Sequence, residues 1–465
     1  MHNTKIRSLI LYLLIALFLV GIGFFVYEFA AQSYKWAFSP INRHLSEGKM
    51  SGGKIVDICD EVLAQTVEGK RVYSENEDVR KAMLHIVGDG SVLIPTSVQS
   101  RFSGELFGYN PITGFGAPGI FEMNQNVKIT LDSKLCANVS KSFKDKKGAA
   151  VAYNYLSGEV LCMVSLPTYD INNRPSFSEL SSEKYEGAYI NRVISSSYTP
   201  GSIFKIFTTI AGLDLVKNIK SRVFECNKTK IIDGEKIVCM SSHGKINLKE
   251  ALSKSCDIVF GDIAIELGPE LMKSEMKKLG LNGGSTIDGI EFSHGSYLIE
   301  NASKADLGWS GIGQYKDKVN PLFMAKFMSA IANDGKPKEP FFVKSVYSDG
   351  ASGFSRTHSD FLAPIMTPEV AADIKEMMRY TMKNNYGDSM FDLIPMCAKT
   401  GTAEVGEGKL PHGWMVGFSY DRSFPIAFAV IVENGNFGIK SAGPIASSMI
   451  KQLKKNFSDG KYKFN

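Results

Sequence analysis

The 465-residue sequence predicts an α+β protein with an N-terminal membrane helix. Two observations point to this class: a long uncharged run near the N-terminus, and strand-like runs that bracket a helical middle. The length suggests two or three domains at roughly 150 residues each. With 44% apolar and 22% charged residues, the composition excludes a wholly disordered, collagen-like or polytopic membrane chain.

The segment Ser8–Tyr27 contains no charged residue. Roughly 20 residues at about 1.5 Å each span about 30 Å, which is the thickness of the bilayer core. Lys5 and Arg7 precede the run and Glu28 follows it, so the positive-inside rule predicts a cytoplasmic N-terminus. A signal peptide cleaved after Ala31 is the alternative, but its apolar region would be unusually long. We therefore predict an uncleaved single-pass anchor and an extracytoplasmic main body.

Charge and cysteine pattern exclude several classes of partner. The net charge of +5 comes without a dense basic stripe, so nucleic-acid binding is not predicted. The seven cysteines form no CxxC pair, and the seven histidines form no HExxH or CxxH motif, so neither a metal site nor a cofactor is predicted. Cys226 and Cys239 flank a turn-like stretch, which fits either a disulfide across a hairpin or two buried thiols.

The rest of the chain contains strand-like and helix-like segments in a definite order. The segment Gly148–Ser165 contains two β-rich runs joined at Leu156–Gly158, which is a hairpin signal. A Gly- and Pro-rich stretch at 110–119 is typical of a domain boundary. Helices are predicted within 202–280, 320–333 and 368–383, and strands at 396–402, 413–419 and 426–433. Two hairpins around a helical middle predict an α+β domain of about 330 residues.

Candidate chemistry begins at Ser202 and Lys205. Pro200 and Gly201 break the chain, and the following apolar run predicts a helix that Ser202 opens. Residues three apart share a helix face, and the serine lies near the positive end of the helix dipole. The apolar neighbours of Lys205 favour its neutral amine, which a Ser–Lys nucleophile needs. Taken alone, Ser202 fits a helix cap better, because the SxxK spacing recurs in this chain.

Two further segments strengthen the catalytic interpretation. A predicted strand carries Lys399, Thr400, Gly401 and Thr402, where a peptide could lie with its carboxylate against a positive charge. Between the two segments, Ser255 offers a second hydroxyl. The order and spacing of Ser202, Ser255 and Lys399 match the SxxK, SxN and KTG set of serine acyl-transferases that react with penicillin. His243, just before the second motif, is interpreted as a loop residue held by a hydrogen bond.

On these motifs the chain resembles the class B penicillin-binding proteins, in particular penicillin-binding protein A and the cell-division transpeptidases. The wider likeness rests on these segments: Gly53–Asp57, Val127–Asp132, Gly158–Asp170, Asn191–Arg192, Tyr198–Ser202, His243–Gly244, Gly313–Gln314 and Pro321–Leu322. The resemblance implies a serine β-lactamase/transpeptidase-like fold, an antiparallel sheet packed with helices. It also implies three parts: a cytoplasmic tail and anchor at 1–30, a pedestal domain at 31–125 and the transpeptidase domain at 126–465.

The resemblance further implies a bacterial peptidoglycan D,D-transpeptidase. Ser202 would attack the D-Ala-D-Ala end of a stem peptide, Lys205 would take its proton, and Ser255 would relay a proton to the leaving group. The residues implied in substrate binding are Asp257, Lys399, Thr400, Gly401 and Thr402. Backbone N–H groups of Ser202 and Thr402 would form the oxyanion hole. β-Lactams would acylate Ser202, and a polytopic membrane glycosyltransferase would be a partner.

One residue departs from the family pattern. Asp257 stands where the family usually has Asn, and an ionised carboxylate cannot donate a hydrogen bond to a substrate carbonyl. Two interpretations stay open: the carboxylate pairs with Lys205 and holds it charged, or it turns to another cation and leaves Ser255 in place. Alternative functions on the same fold are a D,D-carboxypeptidase, a β-lactamase, and a β-lactam-binding scaffold with a weakened site.

Overall fold

The computed structural model describes residues 2–36, 52–90, 93–107, 109–110, 114–115, 125–348 and 351–462. Most of the predicted boundary stretch at 110–119 lies outside these residues. Helix His2–Trp36 contains the segment Arg7–Tyr27, which has a mean hydropathy of 2.9 and is 0% buried. By length and composition this helix is a candidate membrane span. The orientation of the helix and its retention after export stay predictions.

Among the described residues, α-helices span His2–Trp36, Glu77–Val87, Val98–Arg101, Ser103–Phe107, Ser133–Ser142, Phe177–Leu180, Arg192–Ser195, Lys205–Leu215, Leu248–Ser253, Asp257–Lys278, Lys304–Ser310, Pro321–Ala332, Pro368–Thr381 and Gly438–Ser458. Their starts follow from local sequence. Asn320 and Thr367 accept hydrogen bonds from the first turns of the Pro321 and Pro368 helices, and proline fits the first helical position. These two helices confirm the predictions at 320–333 and 368–383.

The strands are β1 (Ile55–Val56), β2 (Val62–Val67), β3 (Lys70–Tyr73), β4 (Tyr109–Asn110), β5 (Gly114–Phe115), β6 (Asn126–Ile129), β7 (Gly148–Asn154), β8 (Val160–Leu166), β9 (Phe224–Cys226), β10 (Thr229–Ile232), β11 (Glu235–Val238), β12 (Gly244–Ile246), β13 (Gly284–Ile287), β14 (Ile290–Ser293), β15 (Gly295–Ser296), β16 (Lys318–Val319), β17 (Val343–Ser348), β18 (Ala351–Ser355), β19 (Met396–Ala403), β20 (His412–Ser419) and β21 (Ile426–Val432). The predicted hairpin at 148–165 and the three late strands are confirmed. The predicted helical character of 202–280 is wrong between 224 and 246, where β9 to β12 form two small antiparallel pairs.

The central sheet has the order β19-β20-β21-β7-β8 and is antiparallel throughout. Every residue of β7, β8 and β21 is buried, so both faces of the sheet are covered. Helices Pro321–Ala332 and Gly438–Ser458 pack on it. This arrangement confirms the predicted α+β class. It leaves β19, which carries Lys399 to Thr402, as an edge strand.

A second sheet has the order β18-β17-β6-β1-β2-β3. Strand β6 pairs with β1 on one side and with β17 on the other. The predicted boundary at residue 125 therefore falls next to a strand that belongs to a sheet shared by both predicted domains. The division into domains at 31–125 and 126–465 stays a prediction. In the structure, both parts contribute strands to this one continuous sheet.

Candidate active site

Ser202 lies in a 3-10 turn, Gly201–Phe204, and the α-helix begins only at Lys205. The predicted helix start at Ser202 is therefore one turn early, because Gly201 has φ +55° and sets up a tighter turn. The turn is held from the sheet side, where Trp414 Nε1 donates to the Thr199 carbonyl at 2.9 Å. Ser202 is partly exposed at the tip of this turn.

Lys205 is fully buried, and its side-chain nitrogen is the centre of the site. Its Nζ lies 3.0 Å from Ser202 Oγ and 3.0 Å from Ser255 Oγ, and it donates to the Ser255 carbonyl at 2.8 Å. The Asp257 carboxylate contacts the same nitrogen at 2.6 Å. The first of the two open interpretations of Asp257 is thus the one that the structure shows, an ion pair with Lys205.

Ser255 occupies the junction between helices Leu248–Ser253 and Asp257–Lys278 with φ +54°, a conformation that non-glycine residues rarely adopt. Its hydroxyl accepts from Lys205 and also from Lys399 Nζ, at 3.0 and 3.1 Å. With both lone-pair directions used by lysine nitrogens, the hydroxyl proton is left to donate elsewhere. Strain of this kind persists where surrounding contacts fix the backbone, and functional sites are a common place for it.

Lys399 brings the third motif into the same cleft. Only 1% of the residue is exposed, and its Nζ also donates to the Thr400 carbonyl at 3.0 Å. Burial, and next to it the charge of Lys205, lower the pKa of Lys399 from 10.5 to about 7. The four predicted groups on Ser202, Lys205, Ser255 and Lys399 are therefore linked by consecutive contacts of 3.0 to 3.1 Å.

Glycines let the first and third motifs approach each other. A Cβ on Gly201 would lie 2.3 Å from the Thr402 carbonyl oxygen, and one on Gly401 would lie 2.8 Å from the Pro200 carbonyl oxygen. Both positions therefore exclude a side chain. This close approach sets Ser202 beside the outer edge of β19.

Comparison with known proteins adds an independent observation. The profile "Penicillin binding protein transpeptidase domain" matches residues 148–451, which include all three motifs. The chain belongs to the penicillin-binding protein transpeptidase family. The predicted resemblance to class B penicillin-binding proteins is confirmed.

Two similar proteins illustrate the relationship. Peptidoglycan D,D-transpeptidase PbpA of Mycolicibacterium smegmatis is 27% identical over 317 residues, 64% of each chain. Penicillin-binding protein A from M. tuberculosis, in an imipenem acyl-enzyme complex, has a TM-score of 0.77 at 24% identity and covers 88% of this chain and all of that one. The chain spans somewhat less than two thirds of the length of the curated PbpA relatives. The structural likeness confirms the predicted fold.

Further residues contact the site, and motif spacing did not identify them. Tyr386, on a π-helical turn at Met382–Tyr386, contacts Thr400 Oγ1 at 2.8 Å and accepts from the Thr400 backbone N–H at 3.1 Å. Gln314 Nε2 donates to the Thr402 carbonyl at 3.1 Å. Gly313, next to it, accepts from the Gly201 N–H at 2.9 Å. The Gly313–Gln314 segment, quoted above only for the resemblance, thus ties the serine turn to β19.

Proposed function

We propose that this protein is a peptidoglycan D,D-transpeptidase that works through a Ser202 acyl-enzyme and is inhibited by β-lactams. The observation that carries the proposal is the position of Lys205 Nζ, within 3.0 Å of two hydroxyls from different segments of the chain. One nitrogen can therefore take a proton from Ser202 and pass it towards Ser255. Membership of the penicillin-binding family and the PbpA relatives support the same reaction class.

Acylation begins when the neutral amine of Lys205 takes the Ser202 hydroxyl proton. The oxygen bonds to the carbonyl carbon of the penultimate D-Ala, and the carbonyl oxygen becomes an oxyanion. Backbone N–H groups of Ser202 and Thr402 are the proposed donors to it, each worth about 3 kcal/mol of barrier. The C–N bond then breaks, and Ser255 delivers a proton to the leaving D-Ala amine. Lys205 in turn gives Ser255 the proton that it took from Ser202.

Deacylation runs through the same groups in the opposite order. An amine of a second stem peptide attacks the ester carbonyl, loses a proton towards Lys205, and forms the new amide. The Ser202 oxygen leaves and regains its proton. One peptide bond forms for each one that breaks, so the reaction needs no external energy source.

The edge of β19 is the proposed binding site of the donor peptide. An extended peptide can add to an exposed strand edge through backbone hydrogen bonds. Its terminal carboxylate would meet Lys399 and the hydroxyls of Thr400 and Thr402, with Gly401 leaving room for the backbone. Asp257 would lie on the opposite wall, where its side chain is 23% exposed and paired with Lys205.

The test is labelling of the full-length, detergent-solubilised chain with fluorescent penicillin, read by gel and by intact mass. We expect stoichiometric labelling of the wild type and none of Ser202→Ala. Ser448→Ala is the matched control, because Ser448 and Lys451 have the same SxxK spacing on the Gly438–Ser458 helix. Equal labelling of wild type and Ser202→Ala would refute the mechanism.

The alternative functions differ in the acyl donor, in the acyl acceptor, or in whether turnover occurs at all. Incubation with a D-Ala-D-Ala stem peptide and an amine acceptor should give cross-linked product. Release of D-Ala without cross-linking would indicate a D,D-carboxypeptidase, and steady turnover of a cephalosporin would indicate a β-lactamase. Labelling without any turnover of peptide would indicate a β-lactam-binding scaffold.

We further propose that the N-terminal helix anchors the protein in the bacterial membrane with its N-terminus in the cytoplasm. The distribution of Lys5, Arg7 and Glu28 supports this orientation. A polytopic membrane glycosyltransferase is the proposed partner, with the anchor helix as its contact. Cysteine-accessibility labelling of the two ends of this helix in spheroplasts tests the orientation.

A further inference from the structure

A second cluster of reactive side chains lies directly behind the active site. Cys226, Cys239, His243 and Cys256 bring one nitrogen and three sulfur atoms together, all within 4.8 Å of one another. The three cysteines are at most 1% exposed, and none is in a disulfide. The disulfide considered for Cys226 and Cys239 is thus not formed, and the Sγ–Sγ distance is 3.7 Å. His243, interpreted above as a loop residue, turns its ring to Cys226.

Three of the six distances between the four ligand atoms match those of a tetrahedral metal site. Cys226 to Cys239 and Cys239 to Cys256 are each 3.7 Å between sulfurs, and Cys226 Sγ to His243 Nδ1 is 3.3 Å. Thiolates bound about 2.3 Å from a zinc ion at the corners of a tetrahedron lie about 3.8 Å apart, and a nitrogen ligand lies slightly nearer. A disulfide would need sulfurs about 2.05 Å apart.

The local fold explains what a metal would do there. Cys226 ends β9, Cys239 follows β11, and His243 precedes β12. These strands form two isolated two-stranded pairs, and the β10–β11 hairpin is mostly exposed. Two-stranded hairpins are marginally stable by themselves, and small modules with little core are commonly stabilised by metals or disulfides. A bound ion would tie this segment to the helix junction at Cys256.

We propose that Cys226, Cys239, His243 and Cys256 bind one structural Zn²⁺ ion. Three thiolates and one imidazole are a soft ligand set that suits zinc over calcium or magnesium, and four protein ligands leave no open position for catalysis. Binding releases the three thiol protons to solvent, since the thiolate is the ligand.

The ion also positions a catalytic group. Cys256 follows Ser255 in the chain, so fixing the Cys256 sulfur fixes the peptide unit that carries the Ser255 hydroxyl. The Cys256 N–H donates to the Ala251 carbonyl at 3.0 Å, which closes the turn from the other side. Metal binding thereby supports the left-handed conformation of Ser255, with its φ of +54°. This positioning role rests on the proposed function, whereas the metal site does not.

Metal content is the direct test. Full-length protein purified with a non-thiol reductant and without chelators should contain about one zinc per chain by inductively coupled plasma mass spectrometry. Cys226→Ser and Cys239→Ser should lose it. Cys136→Ser is the matched control and should retain the metal, because Cys136 is equally buried but pairs with Cys162 at 3.9 Å, outside the cluster.

Cobalt substitution of the wild type keeps the proposal testable if the variants do not fold. Tetrahedral Co²⁺ with thiolate ligands shows visible d–d absorption and sulfur-to-cobalt charge transfer. Wild-type protein with neither zinc nor a cobalt spectrum would overturn the proposal, as would folded serine variants with unchanged zinc. A Cys226–Cys239 disulfide found by non-reducing peptide mapping would overturn it as well.

The positioning role has its own readout. Removal of zinc by a chelator should slow labelling by fluorescent penicillin roughly tenfold, and added zinc should restore it. Unchanged labelling of the zinc-free protein would overturn the positioning role. If Ser202 is not the nucleophile, labelling fails with or without the metal while zinc binding persists, so the two proposals fail separately.

Discussion

The two sides of the helix junction at residues 255 and 256 have opposite chemistry. Ser255 contacts the side-chain nitrogens of Lys205 and Lys399, whereas the sulfur of Cys256 lies in a buried group of sulfur atoms. The first side needs groups that can exchange protons, and the second needs ligands that do not move. Ser255 therefore serves the proposed chemistry and Cys256 the proposed metal site, and the peptide bond between them links the two sites.

The largest expected effect comes from the cleft side. Ser255→Ala removes the hydroxyl that contacts both Lys205 and Lys399, so the acylation rate should fall on the order of 100-fold while zinc content stays unchanged. Cys256→Ala should do the reverse, losing the metal with a smaller loss of rate. Stopped-flow acylation and metal analysis on the same samples measure both. Equal loss of zinc in the two variants would remove the proposed separation.

An intermediate effect is expected from pH. Because the pKa of Lys399 is lowered to about 7, its ammonium form is present below that pH and is lost above it. Affinity for a peptide with a free terminal carboxylate should thus fall as pH rises through 7, by up to about tenfold per pH unit. The C-terminal amide of the same peptide should show no such fall, and Lys399→Met should abolish it.

Stability should change in the opposite direction. Between about pH 7 and its ordinary 10.5, Lys399 binds fewer protons in the folded chain than in the unfolded one. Its contribution to the free energy of unfolding therefore increases with pH across this window. Denaturant titrations of wild type and Lys399→Met at several pH values isolate this contribution. A wild type whose stability relative to Lys399→Met fell with pH would contradict the lowered pKa.

The smallest effect is expected at Asp257. An Asn there would keep a hydrogen bond to Lys205 but remove the negative charge that pairs with the lysine. We expect Asp257→Asn to be acylated faster than wild type, by about tenfold or less. Zinc content should stay the same, since the side chain faces the cleft. A slower rate would instead place the carboxylate within the proton path.

The catalytic candidates in the cleft could be predicted because they lie in short sequence motifs. Ser202 and Lys205 are three residues apart, and Lys399 to Thr402 are contiguous, so local spacing alone signals each part. The proposed metal site could not be predicted in this way. Its three cysteines are 13 and 17 residues apart, so a search for closely spaced cysteine pairs does not detect them, and only the folding of this segment brings them together.

Other features depend on packing that no local pattern carries. The rotamer of Asp257 follows from the position of Lys205, and Tyr386 reaches Thr400 from a π-helical turn without a motif. The pairing of β6 with β1 and β17 joins segments far apart in sequence. Hydrophobic periodicity predicts strands but not their partners, so the predicted domain boundary could not reveal a shared sheet.

That shared sheet has a consequence for biogenesis. Strands β1 to β3 leave the ribosome early, but β6 completes its pairing only after β17, more than 200 residues later, has been made. Until then the outer edge of β6 has no partner strand, and unpaired strand edges invite association with other chains. If the main body lies outside the membrane as proposed, a holding chaperone there would matter most before β17 has been made.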